Sequence, residues 1–275
     1  MSSFVHAAVP VHENIRLARD TFRIRLEAPA LAQAIRPGQF LMVRLTGTSD
    51  PLLGRPFALY DTVLDSGGQP WGLDVVYLVL GKATRRLAEL RASDRVDVWG
   101  PLGNGFPNLQ GVAHVGLVAG GIGQTPFLAY ARELLGSRGY AGRPACRAAE
   151  RTTLFYGVRS AEFQAGVEDF RAADVAVHVA TDDGSQGFWG YVTQMLSAAE
   201  MPDHLVGCGP EPMMKALAKL AAERKVPCHL SLETPMACGV GICFSCVAPI
   251  KTADGWDYRR VCLEGPVFNA AELAW

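Results

Sequence analysis

The sequence predicts a multidomain chain: an antiparallel β-barrel over 1–108, a doubly wound α/β domain over 109–226 and a small cysteine-bearing module over 227–275. Three observations carry this prediction. Short β-rich runs separated by turn signals fill the first hundred residues, apolar strands then alternate with helical patterns, and four of the seven cysteines crowd near the C-terminus. With 275 residues, 49% hydrophobic content, 29 glycines and 17 prolines, the chain can bury a sizeable core in two or three domains.

The barrel rests on runs such as Phe22 to Leu26 and Phe40 to Arg44, punctuated by Arg36-Pro37-Gly38-Gln39. The α/β domain rests on strands at Val115 to Ala119, Thr153 to Tyr156, Val175 to Ala180 and His204 to Gly207. These alternate with helices at Phe127 to Leu135, Phe163 to Ala172 and Pro212 to Arg224. The stretch Gly136 to Glu150, rich in Gly, Ala and Arg, is expected as an exposed loop. The last forty-odd residues show little periodicity, as expected where a metal centre replaces an apolar core.

Charge excludes some functions. The net charge of −1, from 26 basic and 27 acidic residues, gives no electrostatic support for nucleic-acid or anionic-membrane binding. The N-terminus has no basic head before an apolar run, and no stretch approaches 18 apolar residues, so the expected setting is the cytoplasm. The six histidines are scattered through the sequence and no Ser/His/Asp or Cys/His signature occurs, so hydrolytic and acid–base chemistry find no catalytic residue.

Cys238, Cys243, Cys246 and Cys262 are spaced C-x4-C-x2-C, then fifteen residues to the last, the plant-type [2Fe-2S] arrangement with a shortened final gap. The alternative, a structural zinc site, favours two close knuckles, and only one pair here is close. Gly239 and Gly241 let backbone amides turn toward a cluster. Cys146 and Cys228 are expected as ordinary free thiols.

Two segments of the barrel suit a flavin nucleotide. Arg55, Pro56, Phe57, Ala58 and Leu59 fall on a predicted strand, where a guanidinium could hold a pyrophosphate and the backbone could bond a ring edge. Gly81, Lys82, Ala83 and Thr84 open a helix running to Leu90 and offer a second phosphate cradle. An arginine paired with a carboxylate and an ordinary capped helix would explain either segment alone. In the α/β domain, Gly120, Gly121, Gly123, Gln124, Thr125 and Pro126 form a strand-to-helix turn suited to a dinucleotide. It departs from G-x-G-x-x-G, and such turns also serve packing. Cys208, Gly209 and Pro210 form a second turn that can face the same crevice.

Arg55-Pro56, the Gly81 turn, Pro101-Leu102-Gly103-Asn104-Gly105-Phe106, Gly120 to Pro126, Cys208 to Pro210 and the cysteine cluster occur in the order of the ferredoxin-NADP reductase superfamily. More narrowly, Ser231-Leu232-Glu233 with Met236 to Cys246, Arg260 to Phe268, and Asp182 to Ser185 followed by Gly190, Val192 and Thr193 resemble the electron-transfer subunits of type B dihydroorotate dehydrogenase. The resemblance implies an FAD barrel, an NAD domain and a [2Fe-2S] module, paired with an FMN-containing catalytic subunit that oxidises dihydroorotate in pyrimidine biosynthesis. It also implies that Arg55 holds FAD phosphate, that Phe57 to Leu59 line the flavin and that Gly81 to Thr84 hold its pyrophosphate. This chain departs from the pattern at Ala58 and Ala83, where a hydroxyl residue and a glycine are usual.

The chemistry is coherent without the family. Nicotinamide takes a hydride and a cluster moves single electrons, so a flavin must stand between them. Reductase components for oxygenases, sulfite reductases or hydrogenases share this cofactor plan, and a redox-sensing module without turnover is the reading from another class. NAD against NADP stays open: Arg159 is a possible phosphate clamp, and Asp182 and Asp183 weigh mildly against one.

Overall fold

A computed structural model describes residues 4–275; the first three residues of the expected barrel domain lie outside the described residues. The barrel comprises β1 (Val5–Ala18), β2 (Thr21–Glu27), α1 (Pro29–Ala34), β3 (Phe40–Leu45), β4 (Arg55–Ala58), β5 (Asp61–Leu64), β6 (Pro70–Leu78), α2 (Lys82–Ala88) and β7 (Arg95–Leu102). Its antiparallel strands run in the order β4-β3-β7-β1-β2-β6-β5. The sheet curls on itself because Leu59 and Tyr60 step between its two edges. The Leu59 amide donates to the Gln39 carbonyl at 3.1 Å and the Tyr60 amide to the Asp74 carbonyl at 3.0 Å. Alternate residues Ile24 and Leu26, Leu41 and Val43, Val96 and Val98 point inward onto Leu31 and Ile35 of and after α1.

The second layer comprises β8 (Val112–Gly120), α3 (Phe127–Leu134), β9 (Ala149–Val158), α4 (Val167–Arg171), β10 (Ala176–Thr181), β11 (Phe188–Trp189), α5 (Val192–Ala198), β12 (His204–Cys208) and α6 (Glu211–Arg224). The remaining elements are β13 (Cys228–Ser231), β14 (Val247–Thr252), β15 (Gly255–Arg260), α7 (Val261–Glu264) and β16 (Val267–Asn269). The sheet order is β11-β10-β9-β8-β12-β13-β16, parallel except for β16. The chain winds outward from β8 through β9 and β10, then returns to β12 on the other side of β8. The switch point therefore lies between β8 and β12, where crevices in such sheets open. Among the described residues no helix is long and apolar enough to cross a membrane.

Several expectations need correction. The helix expected over Phe163 to Ala172 is broken into a short turn at Ala161–Phe163 and α4, because Gly166 sits between them at φ +74°. The Gly136 to Glu150 stretch is not uniformly exposed: Tyr140 is buried, its hydroxyl donating to Asp61 at 2.7 Å, and Ala149 begins β9. The C-terminal residues are more regular than their lack of periodicity suggested. β13 and β16 extend the α/β sheet, and β14 and β15 form a hairpin. The cysteine module is thus knitted into the second layer. It also docks on the barrel through the Pro101 to Phe106 segment, where Asn104 Nδ2 donates to the carbonyls of Glu264 and Val267 at 3.1 and 2.8 Å.

Candidate functional site

A cleft of about 580 Å³ opens where the barrel, the switch point and the C-terminal module meet. Its walls include Arg55, Pro56, Phe57 and Ala58 from β4, Gly81, Lys82, Ala83 and Thr84 from the start of α2, and Thr125, Pro126 and Cys208 from the two turns. Residues distant in sequence thus face one volume.

Each wall has a local cause. Val43 pairs with Arg55 and Phe40 with Ala58, so β4 is held as an edge strand with its free side toward the cleft. The Arg55 guanidinium donates through Nη1 to the carbonyls of Leu53 and Gly54, each at 3.0 Å. Among the described residues it forms no ion pair, so the reading of Arg55 as a structural partner of a carboxylate does not hold. The Thr84 hydroxyl accepts from the amides of Leu80 and Gly81 at 3.0 and 3.1 Å, which fixes the turn into α2. The Lys82 ammonium meets the carboxylate of Asp50 at the exposed rim.

Some sequence-derived site residues lie elsewhere. The Leu59 side chain is fully buried in the barrel core and cannot line the cleft. Gly120, Gly123 and Gly209 serve the contact between the two turns. A Cβ on Gly123 would sit 2.2 Å from the Cys208 carbonyl oxygen, and one on Gly209 would sit 2.9 Å from the Gly120 nitrogen. Gly121, at φ +55° with open space around it, and the exposed Pro210 stand outside the lining. Gln124 is fully buried, and neither atom of its amide finds a protein partner.

The cleft floor holds groups to which the sequence reading gave no role: Ser231, Glu233 and Thr234. The Cys208 thiol lies 3.9 Å from Glu233 Oε1, and burial, reinforced by that carboxylate, pushes the thiol well above its ordinary range. Glu233 is reached by solvent through the cleft yet walled by protein, and this desolvation raises its carboxyl. The run Ser231-Leu232-Glu233 was visible as a motif, but its chemistry depends on β13 pairing with β12, which brings Ser231 beside Cys208.

The four cysteines stand beside the barrel wall. Cys246 and Cys262 are buried, Cys238 is half-buried and Cys243 is exposed. Among the described residues no three His, Cys, Asp or Glu side chains converge as ligands of one ion. The thiols are disposed instead as pairs. Cys243 is lowered to about 6 by the Ser245 hydroxyl and amide and then by Cys238. Cys262 is pushed up to about 12 by burial and then by Cys246. The Val240 amide donates to Cys238 Sγ at 3.4 Å, and the Gly241 amide lies against Cys262. Gly239 and Gly241 adopt φ +72° and +79°, and a Cβ on Gly241 would lie 2.2 Å from Leu263. Two thiol pairs, with the Val240 and Gly241 amides turned toward Cys238 and Cys262, fit a four-cysteine [2Fe-2S] cluster.

Residues 8–106 match the family described as the oxidoreductase FAD-binding domain, and residues 233–274 match the iron-sulfur cluster binding domain of dihydroorotate dehydrogenase B. The chain is 38% identical to the dihydroorotate dehydrogenase B (NAD(+)) electron transfer subunit of Bacillus caldolyticus, over 94% of each chain. It is 36% identical to that of Shouchella clausii, over 94% of this chain and 93% of that one. Among solved structures, a chain of an NADH-dependent reduced ferredoxin-NADP oxidoreductase superposes with a TM-score of 0.81 at 27% identity, covering 98% of this chain and 90% of that one. The ferredoxin reductase of a carbazole 1,9a-dioxygenase, at 19% identity and a TM-score of 0.67, shares the fold over 82% of this chain and 69% of its own. Similarity over nearly the whole length, with both domain types in register, shows that this chain belongs to the family of dihydroorotate dehydrogenase B electron transfer subunits.

Proposed function

We propose that this chain passes electrons from a dihydroorotate-oxidising, FMN-containing subunit through a [2Fe-2S] cluster and FAD to NAD, in the cytoplasm, as a step of pyrimidine biosynthesis. The observation that carries the reading is the single cleft shared by β4, the α2 turn and the switch-point turns, with the paired cysteines on the adjoining barrel wall. When bound, the three groups supply the change from one-electron to hydride chemistry.

The chain's own residues bind, orient and shield. In this reading 1–108 holds FAD, 109–226 holds NAD and 227–275 holds the cluster. Arg55, anchored through one nitrogen, keeps the rest of its fork for phosphate, and Pro56, Phe57 and Ala58 present the edge of β4 to the ring. Gly81 to Thr84 support the pyrophosphate, while the turns Gly120 to Pro126 and Cys208 to Pro210, packed on each other through their glycines and reaching the cleft through Thr125, Pro126 and Cys208, form the NAD side. Cys208 keeps a protonated, uncharged thiol at the cleft floor, and burial shifts the neighbouring Glu233 carboxyl upward, toward its neutral form. Cys238, Cys243, Cys246 and Cys262 hold the cluster.

The cluster side needs a partner. Ile242 and Phe244, beside the cysteines, are 80% and 62% exposed, and Leu263 adds to the same apolar face. The test is made with the isolated chain: it reduces artificial dyes with NADH and leaves dihydroorotate untouched until the partner subunit is added. Turnover of dihydroorotate by the chain alone would overturn the reading.

A further inference from the structure

One side chain touches both cofactor regions. Trp99, on β7, donates its indole Nε1–H to the carbonyl of Cys238 at 3.0 Å. The far corner of the same ring fills the notch at Gly54, where a Cβ would lie 2.5 Å from the ring's Cη2. Gly54 immediately precedes Arg55, and its carbonyl accepts from the Arg55 guanidinium. The first cluster cysteine and the residue that aims the phosphate arginine are therefore both seated on one rigid indole.

The surroundings reinforce the link. Trp99 pairs with Met42 across β7 and β3, and Met42 pairs with Pro56 across β3 and β4. Met42 is fully buried, and its Sδ and Cγ lie 3.0 and 2.7 Å from where a Cβ on Gly239 would stand. The cluster loop thus rests on β7 and β3, and β4 is the next strand. Two strand spacings amount to about 10 Å. Neither Trp99 nor Met42 reaches the 580 Å³ cleft, so neither is explained by contact with a ligand there.

We propose that Trp99 is a positioning residue that couples the FAD site to the cluster site, so that occupancy of either one strengthens retention of the other. The inference rests on the functional reading above. Its physical basis is that ordering Gly54 and Arg55 around a phosphate fixes the notch, a fixed notch fixes the indole, and a fixed indole holds the Cys238 carbonyl. Coupling of this kind is reciprocal by thermodynamic necessity.

The test uses the full-length protein, prepared anaerobically with both groups and then stripped of flavin in one portion. Iron release to a chelator and FAD affinity before and after iron removal are both measured. In the wild type, iron leaves about fivefold or more slowly with FAD bound, and FAD binds more tightly by the same factor with the cluster present. Trp99→Phe removes the N–H and shortens the ring, and Gly54→Ala displaces the ring while leaving the N–H. Each brings both factors close to one with both groups still able to bind. Equal iron release from flavin-loaded and flavin-stripped wild type overturns the inference without any variant, as does coupling that persists in both variants. A wild-type protein that holds no flavin or no labile sulfide would instead overturn the functional reading itself.

Discussion

At the scale of single residues, Arg55 is the clearest case of a side chain whose structural duties leave capacity over. One nitrogen serves two carbonyls of its own turn, and no carboxylate neutralises it among the described residues. Replacing it with alanine should weaken FAD about 10- to 100-fold, the worth of a charge-assisted bond. Arg55→Lys should recover only part, because an ammonium keeps the charge without the fork. Flavin retention through gel filtration, read by absorbance, checks both, and equal retention in wild type and Arg55→Ala would make the arginine structural. A second residue-scale effect is remote from the cleft. His204 Nε2 and His229 Nδ1 approach to 3.0 Å at the starts of β12 and β13. Scattered in sequence, they meet only because those strands are parallel neighbours. Burial and then His229 lower His204 to about 4, against an ordinary value of 6.5. The unfolded chain therefore binds the proton more readily than the folded one. Stability from this group is complete above pH 6.5 and falls as the pH drops toward 4, by about 2 kcal/mol at pH 5. Melting curves at pH 7.5 and 5 should show a smaller acid loss in His204→Gln than in the wild type, since the glutamine does not titrate.

At the scale of elements, the cluster loop is governed by backbone geometry. Gly241 combines φ +79° with a Cβ position already filled by Leu263, so Gly241→Ala meets both strain and a clash. Iron and labile sulfide should fall well below two of each per chain while FAD content stays, and a variant with full iron would show that the loop can re-form around the methyl. Phe244 belongs to the loop's outer face, with the Arg260 guanidinium 4.9 Å from its ring centroid. Phe244→Asp should uncouple dihydroorotate oxidation from NAD reduction in the complex and leave NADH-to-dye activity of the isolated chain nearly unchanged. Loss of both activities with the cofactors bound would contradict a docking role. These elements also mark where the sequence was legible. The four cysteines, the Gly120 turn and the strand runs were visible because spacing and local chemistry define them. The break at Gly166, the helix α5 and the membership of β13 and β16 in the second sheet were not. Each depends on partners distant in the chain: Gly166 faces the Tyr60 hydroxyl, and β13 finds its register only between β12 and β16. For the same reason Glu233 could be quoted from a motif and still have no chemistry until Cys208 stood beside it.

At the scale of the whole molecule, the cleft exists only while the two layers keep their relative placement, and a buried charge cluster holds them. Asp61, at the start of β5 and 5% exposed, accepts from Arg132 of α3, from Arg138 at 2.8 Å and from the Tyr140 hydroxyl at 2.7 Å. Burial raises its carboxyl, and the two guanidiniums oppose that rise, so the carboxylate depends on its partners as they depend on it. Two residues earlier in the chain lies the Leu59 step that closes the barrel, and the Tyr60 carbonyl accepts from the Ala129 amide of α3 at 3.1 Å. The clamp therefore joins α3, which follows the Gly120 turn, to the strand that follows Arg55 and Ala58. Asp61→Asn keeps the shape and removes the charge, leaving two partly buried guanidiniums facing a neutral amide, a loss of about 3–5 kcal/mol for a broken buried pair. Melting temperature should fall accordingly. A structural role without consequence for the cleft would stop there. If the clamp also sets the approach of the two ring systems, NADH-to-flavin reduction measured by stopped flow should slow in Asp61→Asn protein that still carries full FAD and iron, at temperatures well below its melting point. Unchanged reduction with lowered stability would confine Asp61 to holding the fold, and would leave the placement of the layers to the Tyr60 to Asp169 hydrogen bond of 2.6 Å and the apolar contact of Phe106 with Phe127 and Tyr130.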